Sequence, residues 1–262
     1  AVACILSVYA IESSDAKTIS GVIEITGFGR FMSMVFTAAL AITAAASIYR
    51  IPSTKITVDD AKDADERTTL SLMDNRRQVD LHILLMMVAL GMSLMALSTN
   101  LFFLIVCLEL ASMASYVLVG FHKESRIGGE AGAKYFIVGS IASATGIYGM
   151  SLLYLWAGSL DFASLSASWA AMDTLDPLAG IGVGLMLVAF GFKVSAAPFH
   201  LAAPDAYSGT NAPIAGMLAT ASKAMGFVAM MRVLVGFAAP NEAVTAWAPA
   251  LGVLAIITMT WG

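Results

Sequence analysis

Residues 191–227 read GFKVSAAPFHLAAPDAYSGTNAPIAGMLATASKAMGF and decide the fold. The stretch begins inside an apolar run, carries Lys193 shortly before Pro198 interrupts that run, and enters a second apolar run with Lys223 near its middle. A lysine at the centre of a bilayer helix costs about 2.5–3.5 kcal/mol on insertion scales, so two of them near a break indicate a function. Transporters build ion pathways from discontinuous membrane helices of this kind. We therefore predict a broken membrane helix at the centre of a proton channel.

The composition of the whole chain indicates a membrane protein. Of its 262 residues, 59% are hydrophobic and only 12% are charged, whereas soluble domains are about half apolar and about a quarter charged. A bilayer core excludes charge, so the low charged fraction is the stronger of the two signals. We predict an all-α, polytopic bundle of transmembrane helices that is integral to the lipid bilayer.

The sequence lacks the motifs of a catalytic centre. It contains no Gly-rich phosphate loop, no Cys/His metal cluster and no Ser/His/Asp arrangement. Cys4 and Cys107 lie far apart in apolar runs, without the spacing of a metal site or of a disulfide framework. We expect no catalytic residue, no metal and no directly bound small-molecule cofactor in this chain, and no nucleic-acid partner.

Eight apolar segments match the template for a membrane span, which takes about 20 residues. Because the chain begins and ends inside apolar runs, we expect it to be a piece of a longer chain cut within helices at both ends. The segments are 1–11 (the tail of a helix), 29–49, 81–98, 101–121, 131–157, the interrupted span 177–207, 213–237, and 247 onward.

The distribution of lysine and arginine orients these spans. Most of these residues lie in the two loops 50–80 and 121–130. Lys and Arg accumulate on the cytoplasmic side of membrane proteins, so both loops and the turn at 205–212 are predicted to face the cytoplasm. We interpret segment 59–80 as a solvated loop with a short surface helix. The alternative is a docking site for a partner subunit.

Four ionisable residues remain within or close to the spans: Glu109, Lys134, Lys193 and Lys223. A buried glutamate–lysine pair can be poised between its ionised and neutral forms, which is the condition for passing a proton along. Lysine suits this task better than arginine because a guanidinium does not release its proton at accessible pH. The alternative is a structural ion pair that locks helix packing. Lys134 lies near the cytoplasmic end of its span and could also extend to the interface.

The break itself suggests a local environment for Lys193. Pro198 removes a backbone donor and clashes with the preceding turn, so carbonyls near Val194 need other partners, which only protein or water can supply at this depth. We predict a hydrated cavity beside Lys193, with Pro198 and Pro204 marking the break. His200 could relay protons from that cavity towards the cytoplasm, because imidazole titrates near neutral pH. Alternatively it hydrogen-bonds the broken helix.

Three blocks in register resemble the antiporter-like membrane subunits of respiratory complex I, and specifically the N subunit (the mitochondrial subunit 2 type). They are LELASMASYVLVGF at 108–121, EAGAKYFIVGSIASATGIYGMSLLY at 130–154, and the stretch from 192 to 227. The resemblance implies a five-helix, antiporter-like half-channel bundle at 81–237. It also implies preceding helices with a charged cytoplasmic loop at 1–80, and the start of a second, inverted repeat at 238–262.

The resemblance also implies roles for individual residues. Glu109 matches the fifth-helix glutamate, Lys134 the sixth-helix lysine, Lys193 the lysine beside the broken seventh helix, and Lys223 the eighth-helix lysine. The implied protein is a proton-translocating, non-redox membrane subunit of a redox-driven oxidoreductase that passes electrons from NADH or a related donor to quinone. Flavin, iron–sulfur clusters and quinone would then bind to other subunits of the assembly.

Two other functions stay open at this point. One is a subunit of a multisubunit Na⁺/H⁺ antiporter or of a membrane-bound hydrogenase-type complex. The other is a structural spacer whose buried charges only hold helices together. In each case we expect a multi-pass protein that works beside other membrane subunits, in a prokaryotic plasma membrane rather than an organelle inner membrane.

Overall fold

The computed structural model describes residues 17–19, 21–48, 64–122, 125–236 and 247–261. Six helices in these ranges are long and apolar enough to cross a membrane. The predicted all-α, polytopic fold is confirmed for this part of the chain, and the protein is an integral membrane protein. The predicted span at 1–11 and the segment 51–63 lie outside the described residues.

Nine helices lie in the described ranges. Their bounds are α1 Gly27–Ser47, α2 Ala64–Leu97, α3 Leu101–Val119, α4 Arg126–Ala157, α5 Phe162–Ala170, α6 Pro177–Val194, α7 Ala203–Gly209, α8 Ala212–Leu234 and α9 Trp247–Trp261. Within α8, a π-helical turn at Leu218–Ser222 separates Ala212–Met217 from Lys223–Leu234. The spans predicted from apolar length are confirmed for α1, α3, α4 and α8 to within a few residues.

Residues 64–80 are a correction to the sequence interpretation. They are not a loop with a short surface helix, because α2 runs without interruption from Ala64 to Leu97. The segment contains neither glycine nor proline and has several good helix formers, so the helix of the membrane span continues into it. Its membrane-spanning part is Arg77–Leu97. The polar residues of this segment therefore mark where the membrane-spanning part of α2 ends, and the helix itself continues beyond that point.

A small antiparallel hairpin was not predicted. Strand β1, Lys17–Ile19, pairs with β2, Ile23–Ile25. The hairpin is joined to the α2–α3 turn, where the Thr99 amide donates to the Val22 carbonyl at 2.9 Å. The same turn reaches the α4–α5 connection through the Leu101 amide and the Leu160 carbonyl, at 2.8 Å. The hairpin, the α2–α3 turn and the α4–α5 connection therefore lie at one end of the bundle, opposite to the end at which α4 begins.

Small residues bring the helices around the site close together. A Cβ added at Gly149 of α4 would lie 2.6 Å from the Gly182 carbonyl of α6, and one at Gly91 of α2 would lie 2.6 Å from the Cys107 carbonyl of α3. Because lipid tails are as apolar as leucine, membrane helices associate through this kind of close packing. The polar side chains of α3, α4, α6 and α8 are consequently held within reach of one another.

Candidate functional site

The broken helix ends at Val194, earlier than the proline pattern suggests. Ser195 caps α6 with φ 55°, and it is the one non-glycine residue with positive φ among the described residues. Pro198 lies four residues beyond the helix end, within the irregular segment 195–202. Pro204 falls in the first turn of α7, where the missing N–H of a proline is tolerated. The two prolines therefore flank the restart of the helix, and Ser195 makes the break.

Protein groups satisfy the backbone at the break. The Ala196 amide donates to the Gly191 carbonyl at 2.8 Å, and the Phe199 amide donates to the Ala196 carbonyl at 2.7 Å. The Ala197 amide donates to the Thr258 hydroxyl of α9 at 3.0 Å. Irregular backbone at membrane depth is tolerated where such partners exist. The helix α9 thus supplies one of the hydrogen-bond partners of the irregular segment.

Lys193 occupies the last turn of α6 and is 6% exposed. Its Nζ donates to the hydroxyl of Ser112 on α3. It also lies 3.5 Å from the Tyr116 hydroxyl and 5.5 Å from the centre of the Tyr116 ring. A buried ammonium is costly unless hydrogen bonds compensate for its lost water. Lys193 is therefore a buried amine held by hydroxyl groups.

Glu109 reaches Lys193 through intermediates. The Ser143 hydroxyl of α4 donates to Glu109 Oε1 at 2.6 Å, and the Tyr116 side chain interacts with those of both Ser143 and Ser112. The carboxylate and the amine interact electrostatically, but these two described side chains form no direct ion pair. Three hydroxyl side chains thus link the two charges that the sequence leads us to pair.

Lys223 lies on the other side of Lys193. Its Nζ donates to the Ser195 hydroxyl and is 3.5 Å from the Lys193 carbonyl oxygen. The carbonyl end of a helix favours a cation, and the break creates such an end inside the bundle. Lys223 directly follows the π-helical turn of α8, a feature that often marks functional sites. A Cβ added at Gly226 would lie 2.9 Å from Lys193 Cβ, so this glycine permits the approach.

A small cavity lies beside Lys223. Its volume is about 10 Å³, and its walls include Ser195, Tyr207 and Lys223, so it has room for about one water molecule. The rings of Phe192 and Tyr135 also line this cavity, and their centres lie 5.7 Å apart. Lys193 does not line this cavity, and the hydrated cavity expected beside that amine stays a prediction.

Lys134 and His200 are not brought into this group. Lys134 is 49% exposed and forms ion pairs with Glu130 at 2.9 Å and with Asp205 of α7 at 3.0 Å. His200 lies in the break with its ring centre 6.5 Å from that of Trp261, and its buried Nδ1 has no hydrogen-bond partner among the described residues. Lys134 thus connects α4 to α7 at the end of the bundle that is predicted to face the cytoplasm. A relay role for His200 stays a prediction.

Sequence reasoning missed the four hydroxyl side chains at Ser112, Tyr116, Ser143 and Ser195. Two of them had a usable signal, because positions 109, 112 and 116 fall on one face of a helix. The other two arrive from different helices, and no pattern within their own segments indicates the contact. The hydroxyl link is therefore mainly a product of tertiary packing.

The fold and this site define a class: polytopic membrane proteins in which a buried lysine and a half-buried lysine lie next to the break in a membrane helix. The chain belongs to the NADH:quinone oxidoreductase/Mrp antiporter transmembrane family, whose pattern matches residues 98–262. It is 35% identical to NADH-quinone oxidoreductase subunit N 2 of Roseiflexus castenholzii over 95% of this chain and 46% of the relative. It is 43% identical to subunit N of Desulfitobacterium hafniense over 68% of this chain and 36% of the relative. The chain thus spans less than half the length of these curated relatives.

Solved structures show the same fold. Respiratory complex I from Thermus thermophilus with bound aureothin matches with a TM-score of 0.66 and 26% identity, over 97% of this chain and 51% of that chain. An archaeal respiratory membrane complex, the membrane-bound sulfane sulfur reductase, matches with a TM-score of 0.72 and 19% identity, over 97% and 50%, and supports the fold alone. The resemblance to the complex I antiporter-like subunits is confirmed.

Proposed function

We propose that this chain carries protons through a membrane along Glu109, Lys193 and Lys223, as a subunit of a redox-driven oxidoreductase of the NADH:quinone type. The observation that carries the proposal is the buried Lys193 side chain. Hydroxyl groups connect its amine to Glu109, and the backbone carbonyl of Lys193 contacts the amine of Lys223. The names of the bacterial relatives supply the redox context.

The hydroxyl groups give the pathway its chemistry. Serine and tyrosine hydroxyls both donate and accept, so each can receive a proton on one side and release one on the other. Ser143 and Tyr116 offer such a route between Glu109 and Lys193, and Ser195 is positioned to serve Lys223. We propose that the Glu109 end of the pathway faces the neighbouring subunits, and that these subunits set the charge of Glu109.

Electrostatics couples the two lysines. A positive charge on Lys193 is favoured by ionised Glu109 and opposed by a charged Lys223, because like charges in one low-dielectric site repel. We infer that Lys193 and Lys223 together carry one positive charge more readily than two. Neutralising Glu109 would therefore move a proton from Lys193 to Lys223, and restoring its charge would allow Lys193 to reload.

The remaining assignments follow from the same proposal. Lys134, paired with Asp205 at the cytoplasmic end, would guide protons into the pathway. His200 would relay protons beyond the break. Flavin, iron–sulfur clusters and quinone would reside in other subunits, with this chain serving as a non-redox part of the enzyme. We propose a prokaryotic plasma membrane as the location, in keeping with the bacterial relatives.

A cation/proton antiporter subunit is the second candidate, because the family description includes Mrp antiporters. The Mrp complex of Dietzia matches with a TM-score of 0.53 and 18% identity, over 89% of this chain and 47% of that chain, which supports the fold alone. The sequence relatives at 35% and 43% identity carry NADH-quinone oxidoreductase names, so the redox-driven subunit is the stronger candidate.

The test is Lys193→Ala in the assembled complex within inverted membrane vesicles. Proton uptake driven by the electron donor is measured by quenching of a pH-sensitive dye, and assembly by the amount of complex recovered. The proposal predicts loss of coupled uptake with assembly largely retained. Normal uptake in the variant would refute it, and uptake that depends on a sodium gradient instead of the electron donor would favour the antiporter.

A further inference from the structure

An open groove separates α2 from α3 near the cytoplasmic end of the membrane-spanning region. Its volume is about 440 Å³, within the range of about 300–1,000 Å³ typical of sites for small molecules. Arg77 and Asp80 of α2 line its mouth, and Gly120, which directly follows α3, contributes no side chain to its wall. The groove lies apart from the lysine pathway, since none of the proton-carrying residues lines it.

The two charged residues share one face of α2. They are three positions apart, which places them on adjacent turns of the same helical face. Arg77 is half-buried and Asp80 is exposed, and Arg77 begins the membrane-spanning part of α2. A positive and a negative group are therefore presented together at the level where lipid headgroups lie.

The wall below these charges is apolar and accessible. Ile83 of α2 is 50% exposed and Val117 of α3 is 54% exposed, and Leu84 and Phe121 complete the lining. Ile83 and Leu84 follow Asp80 within about one helical turn, so the apolar wall continues from the charged mouth towards the membrane interior. A molecule with a charged head and an apolar tail fits this order of groups.

We propose that this groove binds an aminophospholipid, whose phosphate accepts hydrogen bonds from Arg77, whose primary ammonium donates to Asp80, and one of whose acyl chains lies against Ile83 and Val117. The apolar wall gives little selectivity by itself, because lipid tails are as apolar as these side chains. Selectivity comes from the pair of charges at the mouth.

The headgroup chemistry singles out one class of lipid. Arginine offers a planar fork of N–H donors that matches a phosphate. A carboxylate only accepts, so Asp80 calls for a donor. A phosphatidylethanolamine headgroup provides both. The quaternary ammonium of phosphatidylcholine has no N–H to donate, and phosphatidylglycerol brings no positive charge to Asp80.

The first experiment measures which lipids stay with the protein. The complete complex is reconstituted into bilayers of phosphatidylethanolamine, phosphatidylglycerol and phosphatidylcholine in equal amounts, re-extracted in mild detergent, and its bound lipids are quantified by mass spectrometry. We expect phosphatidylethanolamine to be enriched. Asp80→Asn should reduce the enrichment about 1.4- to fivefold, the range that exposed ion pairs give, and Arg77→Gln should reduce retention of all three lipids. Equal retention of the three lipids, or enrichment unchanged in Asp80→Asn, would overturn the proposal.

A second experiment identifies the occupant of the apolar wall. Val117→Cys carries a photo-activated cross-linker, and Val106→Cys, on the same helix and 47% exposed, serves as the matched control. We expect the label at position 117 to cross-link phosphatidylethanolamine in preference to the other lipids, and the label at position 106 to sample lipids without preference. Cross-linking of position 117 to a polypeptide would show that a protein segment covers the groove and would contradict the proposal.

Discussion

Removing the hydroxyl of Tyr116 tests the link between Glu109 and Lys193 with the smallest possible change. Tyr116→Phe keeps the ring, which packs edge-on against Tyr135 at 4.9 Å and against Phe136 at 5.8 Å. Only the hydroxyl, which lies 3.5 Å from the Lys193 amine and in reach of Ser143 and Ser112, is lost. The expected loss is therefore in proton transfer rather than in packing.

The magnitude follows from the bonds removed. A hydrogen bond to a charged group contributes about 1.5–3 kcal/mol, and about 1.4 kcal/mol corresponds to a tenfold change in rate. If this bond supports the transfer step, Tyr116→Phe should slow proton uptake about 10- to 100-fold. The cost in unfolding free energy should be no more than about 3 kcal/mol, because the ring contacts remain.

The assay compares proton uptake with electron transfer in the same inverted vesicles. Tyr148→Phe is the matched control, because that tyrosine lies on α4 with 61% of its surface exposed, and we expect it to leave uptake unchanged. Ser143→Ala removes the neighbouring hydroxyl and should reproduce the Tyr116→Phe defect. Normal uptake in both Tyr116→Phe and Ser143→Ala, with the complex fully assembled, would refute the hydroxyl link.

Three further predictions concern helix contacts and charges. Gly226→Ala should push α8 away from the broken helix, since its Cβ would lie 2.9 Å from a neighbouring Cβ. We expect reduced proton uptake, whereas Gly216→Ala on the same helix has open space and should be neutral; equal behaviour of the two would contradict the packing argument. Glu109→Gln retains an acceptor for its serine partner but removes the charge, so uptake should fall while thermal stability changes little; the reverse pattern would favour a structural spacer. A double-mutant cycle on Lys134 and Asp205 should give a small coupling that weakens with salt, and a salt-independent coupling would be inconsistent with their exposed pairing.

Much of the fold could be predicted because a bilayer imposes strict rules on sequence. Apolar length located α1, α3, α4 and α8, and the rarity of charge in hydrocarbon singled out Glu109 and the lysines. The extension of α2 was missed because polarity was equated with a loop. Residues 64–80 are polar but helix-forming, and hydropathy reports where the membrane ends and not where the helix ends.

The details of the site were less predictable because they depend on contacts between helices. The left-handed conformation of Ser195 is not specified by its residue type, since serine has no preference for positive φ. The contact of Ser143 with Glu109 joins positions 34 residues apart. The placement of Lys134 in an exposed ion pair depends on where α7 restarts after the break. These features arise from tertiary packing, which a pattern along one segment does not contain.

The most direct measurement of the central claim is the proton-to-electron stoichiometry of Lys193→Arg in the assembled complex. Arginine keeps the positive charge and can donate to Ser112 and Tyr116, but it does not release its proton at accessible pH. If Lys193 passes protons, the stoichiometry should fall while electron transfer to an artificial acceptor and assembly persist. A wild-type stoichiometry in Lys193→Arg would show that a fixed charge suffices at this position, and it would contradict the account.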